Sequence, residues 1–388
     1  MADHDRTGTL PRRPATLPAL TGMRWVAAML VFATHISLSW IFPGEGVNEA
    51  LAEYVSTLGF IGVQFFFILS GFVLTWSARP GDHWRGFWRR RMVKILPNHL
   101  VTWLAGLILM AGAGVALTAK AAIPSLLLIK PWFPDFTVVV GINGPSWSIA
   151  VELIFYLSFP WLLVLVNRIR PERLWLWAGM LFAGIVAIPF LATLLPDNPR
   201  VDLYDVSWWK YWFVNFLPPS RVFEFVIGMV MARIVMTGRY LRLPLPLALL
   251  TVVPGYLVTL WLPSPFDMVV PCVIPLALVV ASAATADVAG REGFFASRPM
   301  VWLGEISFAF YMVHMLVLYY GPMKFGSGRQ WELLPALGIV ALSFVIALGL
   351  AWLLYRLVEI PAMLRWSRTR RSPDATDERL PLVDSHKQ

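Results

Sequence analysis

The sequence predicts an all-α integral membrane protein of about ten transmembrane helices, with both termini cytoplasmic. Composition, the spacing of apolar segments and the placement of basic residues each point that way. Of the 388 residues, 58% are hydrophobic and only 14% charged, against about 25% charged in an ordinary soluble domain. Mean hydropathy is +0.65. Water would not wet such a surface, so the surrounding solvent is lipid. Spans of roughly 20 apolar residues, the length that crosses about 30 Å of hydrocarbon, are expected at 19–41, 56–77, 96–117, 144–167, 174–195, 215–237, 242–262, 267–285, 302–321 and 334–358. With the N-terminus inside, 25 of the 32 Lys and Arg fall in segments on the cytoplasmic side. This is the bias that fixes orientation in multi-pass proteins.

The polar stretch 1–18, rich in Arg and Pro, reads as a cytoplasmic lead into the first span. No small-residue cleavage site closes that span, so it is expected to be retained. Residues 19–361 form the transmembrane domain, and 362–388 read as a disordered cytoplasmic tail. With no soluble domain expected, any chemistry falls to the membrane domain. The net charge of +9 follows from the cytoplasmic loops and calls for no nucleic-acid partner. The single cysteine, Cys272, excludes an intrachain disulfide. The six histidines lack the short ligand spacings of a zinc site, so no metal is expected.

Ionisable residues at membrane depth are costly, and each is a candidate for function. Arg24 and His35 share the first span. Eleven residues is close to three full turns, so both face one side, about 16 Å apart along the axis. Arg24 then sits at the cytoplasmic mouth and can hold a phosphate-bearing carrier, while the deeper His35 can serve as a general base. The plainer alternative is a snorkelling arginine and a hydrogen-bonded core histidine. The second inner loop carries six basic residues from Arg79 to Lys94, interleaved with Trp84, Phe87 and Trp88. It reads as anionic-lipid contact or as a dock for a nucleotide and its phosphates. Arg91 and Lys94, three apart, lie on one helical face.

Glu152 lies within the fourth span, which follows Asn143 and Gly144. Ser146 is a candidate cap for that helix. Arg221 and Glu224 are placed to pair with each other. Glu305 and His314 are nine apart and face opposite sides of the ninth span. Glu359 is expected to tie the inner end of the last span to a basic loop. These features define a membrane enzyme or a transporter with a histidine-containing cavity.

Six segments, in order, resemble the acyltransferase-3 family of membrane O-acyltransferases. They are LPALTGMRWVAAMLVFATH, GFIGVQFFFILSGFVLT, FWRRRMVKILP, WSIAVELIFYLSFPWLL, RVFEFVIGMVMAR and LGEISFAFYMVHMLVL. The resemblance runs from Leu17 to Pro361. Lys94 stands where the family's Arg-x-x-Arg segment has its second arginine, and Ala150 where many members have serine.

The resemblance implies a short acyl group, acetyl or propionyl, carried by acyl-CoA with its phosphates near Arg24, Arg91 and Lys94. His35 takes the proton of an acceptor hydroxyl or transiently carries the acyl group, and Glu152 tunes the site. The implied acceptor is a macrolide antibiotic or similar glycosylated metabolite, with a cell-envelope or exported polysaccharide as the alternative. The implied location is the cell membrane, in contact with lipid. A transporter or flippase for a sugar-lipid or acyl donor, and a non-catalytic scaffold, are the competing classes.

Overall fold

The computed structural model describes residues 14, 16–79, 81, 83–291, 293–326 and 329–366. The expected cytoplasmic tail therefore lies outside the described residues from 367 onward, as do most of residues 1–18. Among the described residues the chain is helical apart from one small antiparallel hairpin, β1 (Arg200–Val201) with β2 (Val206–Ser207). The principal helices are α1 (Pro18–Ser37), α2 (Glu45–Val55), α3 (Leu58–Ser77), α4 (Trp84–Gly112), α5 (Ala119–Leu126), α6 (Phe136–Val139), α7 (Ser146–Arg168), α8 (Leu174–Ala192), α9 (Trp208–Tyr211) and α10 (Pro218–Met236). They continue as α11 (Leu245–Leu250), α12 (Val252–Thr259), α13 (Val273–Val288), α14 (Arg298–Tyr320), α15 (Pro322–Gly326), α16 (Leu333–Leu354) and α17 (Ile360–Trp366).

Each of the ten expected spans has a helical counterpart. Among the described residues, seven segments are long and apolar enough to cross a membrane, and the apolar stretches 245–259 and 273–288 are shorter. The remaining one, α10, carries Arg221, Glu224 and Arg233 and is nonetheless largely buried. Its charges face protein, not lipid: Arg221 pairs with Glu224 at 3.0 Å, and Glu224 accepts a bond from Gln64 of α3 at 2.9 Å. Arg233 donates to the carbonyls of Val166 and Ile169 at the end of α7.

Two differences from expectation bear on function. The basic stretch read as an inner loop is helical from Trp84, so α4 begins some three turns before its apolar part. Arg, Lys, Met and Leu are good helix formers, and hydropathy is blind to helix that carries charge. The last span does not end near 358. It passes through a π-helical turn, Tyr355–Glu359, into α17, which reaches Trp366.

Close approach of helix backbones sets the core. A Cβ on Gly71 of α3 would lie 1.9 Å from the Phe225 carbonyl oxygen, and one on Gly228 of α10 would lie 1.9 Å from that of Ile68. The two glycines let α3 and α10 touch backbone to backbone, the small-residue contact by which membrane helices gain packing where lipid supplies no hydrophobic drive. Gly304 of α14 meets α1 in the same way, since a Cβ there would lie 1.9 Å from the Thr21 carbonyl oxygen. That crossing fixes α14 against the helix that carries Arg24 and His35.

Candidate active site

Arg24 of α1, Arg91 and Lys94 of α4 and Glu152 of α7 line one cavity, together with Ser70 and Phe66 of α3, Tyr156 of α7 and Tyr311 of α14. Four of the five residues singled out from the sequence thus meet in space, although they come from three helices. The three cations mark what is here termed the basic end of the bundle.

Each charge has a defined environment. The Glu152 carboxylate accepts bonds from the Ser70 hydroxyl at 3.0 Å and from the Tyr156 hydroxyl at 2.5 Å. The two are one turn or one helix away, so the carboxylate is held rigidly. The Arg91 guanidinium lies 5.7 Å from the Phe87 ring and 5.8 Å from the Tyr156 ring. Its buried Nε has no hydrogen-bond partner. An orphan donor of this kind is costly, and an anionic ligand would satisfy it.

Lys94 is not free. It pairs with Glu359, whose other oxygen accepts from Asn98 Nδ2 at 2.6 Å. The tie expected of Glu359's end of the last helix is therefore made to Lys94 itself, and a phosphate at Lys94 would share the ammonium with a carboxylate. The π-helical turn that holds Glu359 is of a kind often found at functional sites.

His35 does not line this cavity. It lies farther along α1, where its Nδ1 is 3.0 Å from Nε2 of His314 on α14. The sequence reading set His314 apart from Glu305, and the structure agrees on that: Glu305 accepts from Tyr355 at 3.3 Å. The reading missed that the other face of α14 delivers His314 to His35. Tyr311 links the pair to the cavity. Its ring is 5.6 Å from that of His314, its side chain lines the cavity, and its hydroxyl is 2.7 Å from that of Ser148.

For an uncharged pair the hydrogen bonds assign the tautomers. Nδ1 of His314 is 3.2 Å from the Phe310 carbonyl oxygen. A carbonyl only accepts, so this nitrogen carries the proton. Nε2 of His314 is then an acceptor, and Nδ1 of His35 donates to it. The remaining nitrogen of His35, Nε2, is left with its lone pair available, the state a proton acceptor needs. Phe32 and Phe310 pack on His314, with Phe344 behind them. Phe310 stacks on His314 at 5.9 Å and Phe32 meets it edge-on at 6.2 Å.

The cavity holds about 150 Å³, well under the roughly 300–1,000 Å³ of pockets for drug-sized ligands. It suits a linear arm and not a large ring. Its upper wall rests on the segment that opens α7. Ser146 is the first residue of that helix and does not cap it; its hydroxyl donates back to the Asn143 carbonyl at 2.8 Å. Asn143 Nδ2 donates to the Met312 carbonyl on α14 at 2.9 Å. The fully buried Lys130 donates to the carbonyls of Gly141 and Asn143 at 3.1 and 2.7 Å. None of this brace was legible beforehand, because its partners are carbonyls, which sequence patterns do not mark.

The fold is that of an all-α, multi-pass membrane protein with a polar cavity among its helices, and comparison with known proteins supplies the class. The acyltransferase-3 family model, described as an acyltransferase domain, matches residues 17–356, and the chain belongs to that family. It is an acyltransferase. It is 40% identical to the acyltransferase MdmB of Streptomyces mycarofaciens over 386 residues, covering 95% of this chain and 98% of that one. The putative peptidoglycan O-acetyltransferase YrhL of Bacillus subtilis is 24% identical, covering 89% of this chain but 54% of its own length. The peptidoglycan O-acetyltransferase OatA of Listeria monocytogenes is 26% identical over 53% of this chain and 31% of its own length. No solved structure matches the chain.

Proposed function

We propose that the protein transfers a short acyl group, acetyl or propionyl, from acyl-CoA to a hydroxyl of a macrolide or similar glycosylated metabolite. The observation that carries this reading is the gathering of Arg24, Arg91 and Lys94 at one end of a narrow cavity whose other end, through Tyr311, reaches the His35–His314 pair. Three cations and an orphan Arg91 donor suit the phosphates of a coenzyme. The slot beyond them, walled by Val63, Phe66, Phe67 and Leu69, suits a pantetheine arm. Arg24 and His35 lie about 16 Å apart along α1, which places the thioester near the histidines while the phosphates stay at the basic end. We place that end in the cytoplasm of a cell membrane, in line with the bias of Lys and Arg towards that side.

In this mechanism the acceptor hydroxyl approaches His35 from the end opposite the donor, because the cavity is too small for a macrocycle. Nε2 of His35 takes the hydroxyl proton as the oxygen attacks the thioester carbonyl. The carbon–sulfur bond breaks, and CoA leaves as a thiolate that collects a proton. His314 holds His35 in the tautomer that exposes Nε2 and shares the positive charge that develops there. The alternative order has His35 Nε2 attack first and carry the acyl group to the hydroxyl. Glu152, fixed by Ser70 and Tyr156, sets the electrostatics between the two ends.

The acceptor class rests on the resemblance to family members that esterify macrolides. The lower identity of the peptidoglycan enzymes, 24–26%, ranks an envelope polysaccharide second. Acetyl-CoA and propionyl-CoA offered with a panel of macrolides and oligosaccharides, followed by mass spectrometry, test the assignment. The expected product is a macrolide heavier by one acyl unit. Acylation of the oligosaccharides alone would move the acceptor to the second class.

A further inference from the structure

Three tryptophans cluster beside the wall of the cavity that carries Tyr156 and Arg91. Trp84 and Trp161 are 43% and 62% exposed, and Trp88 stands between them, its ring 4.7 Å from Trp84 and 5.7 Å from Trp161. The cluster is anchored to the cavity wall. Trp88 Nε1 donates to the carbonyl of Tyr156 at 3.0 Å, and Tyr156 lines the cavity and bonds Glu152. On α4 the positions 84, 88, 91 and 94 fall three or four apart, so Trp84, Trp88, Arg91 and Lys94 form one stripe along the helix. The stripe spans about 15 Å. Read from its start it runs from exposed aromatic rings to half-buried cations at the slot.

We propose that Trp84, Trp88 and Trp161 form a stacking platform for the adenine of the acyl donor. The inference rests on the acyl-CoA reading and adds a subsite to it. The order along α4 is the order of the donor's chemical parts: a flat base, then phosphates, then an apolar arm. Indole rings bind bases through their faces, and the contact tolerates solvent. Arg85, whose guanidinium lies 5.3 Å from the Trp84 ring, adds positive charge beside the platform where the nucleotide is negative. Tryptophans that merely seat a helix at the membrane interface require neither the bond to the Tyr156 carbonyl nor a place on the same stripe as Arg91 and Lys94.

Equilibrium binding to the purified full-length protein in lipid nanodiscs tests this without knowledge of the acceptor. Two probes are compared, acetyl-CoA and acetyl-pantetheine, which lacks the nucleotide. In the W84A/W161A double variant acetyl-CoA should bind about tenfold more weakly, in keeping with stacking of one base, and acetyl-pantetheine should be unchanged. Phenylalanine at both positions should restore acetyl-CoA binding to within about threefold. An unchanged affinity for acetyl-CoA, or an equal loss for both probes, overturns the platform. A wild-type protein that binds neither probe overturns the donor assignment itself, and the platform with it.

Discussion

At the basic end of the cavity three cations from two helices surround a slot, and Glu359 pairs with only one of them, Lys94. At the other end the side chains are two hydrogen-bonded imidazoles and, in ring contact with them, a phenol hydrogen-bonded to a serine hydroxyl, with phenylalanine rings packed on the histidines. The first region holds a ligand by charge and tolerates sharing with a carboxylate. The second manages one proton, and for that the direction of each hydrogen bond matters more than charge. Substitutions at the two ends should therefore separate in their kinetics, binding at one and turnover at the other.

The largest effect short of removing His35 is expected from His314→Phe. It keeps the aromatic packing but removes the acceptor for His35 Nδ1, so the tautomer is no longer fixed. Turnover should fall about 10²-fold, part of the 10²–10⁴ typical of a general base, with the KM for acyl-CoA within about twofold. A change confined to KM would place His314 in donor binding and erase the contrast. Arg91→Ala should do the reverse. Loss of charge-assisted bonds worth about 1.5–3 kcal/mol corresponds to a donor KM raised roughly 10- to 100-fold, with turnover nearly kept. Lys94→Ala should have a smaller effect on KM, because Glu359 already claims its ammonium.

A subtler effect belongs to the brace over the cavity. Burial without a carboxylate partner pushes the Lys130 ammonium down from 10.5 to about 7, and the nearby buried His99 offers no compensating negative charge. Between those values the unfolded chain holds this proton and the folded one does not. The folded state is then favoured increasingly as pH rises, with the full penalty present below about pH 7. The midpoint of thermal unfolding should climb between pH 7 and 9 in the wild type and climb less in Lys130→Met. Parallel pH dependence in the two proteins would show that the lysine is solvated.

How much of this was legible in the sequence follows from what kind of signal each feature leaves. Arg24 and His35 could be related beforehand because both lie on one helix, where periodicity determines geometry, although only Arg24 lines the cavity. Arg91 and Lys94 were legible as a basic run with both on one helical face, though not the start of that helix as early as Trp84. Glu152 stood out as a charge within a span. His314 could not be matched to His35, since 279 residues separate them and the packing of α14 against α1, at Gly304 and Phe310, makes them neighbours. Trp161 carried no signal, as a tryptophan in a membrane helix is unremarkable until Trp88 is seen beside it. The pairing of Lys94 with Glu359 was half read: the anchor was foreseen, its partner was not.

The most direct test of the account is CoA release by the purified protein with acetyl-CoA and the acceptor identified by mass spectrometry, measured for the wild type and for His35→Ala alongside acetyl-CoA binding. The account predicts that His35→Ala loses at least about 10²-fold in acceptor-dependent CoA release while binding acetyl-CoA as the wild type does. Near-normal release by His35→Ala would contradict it.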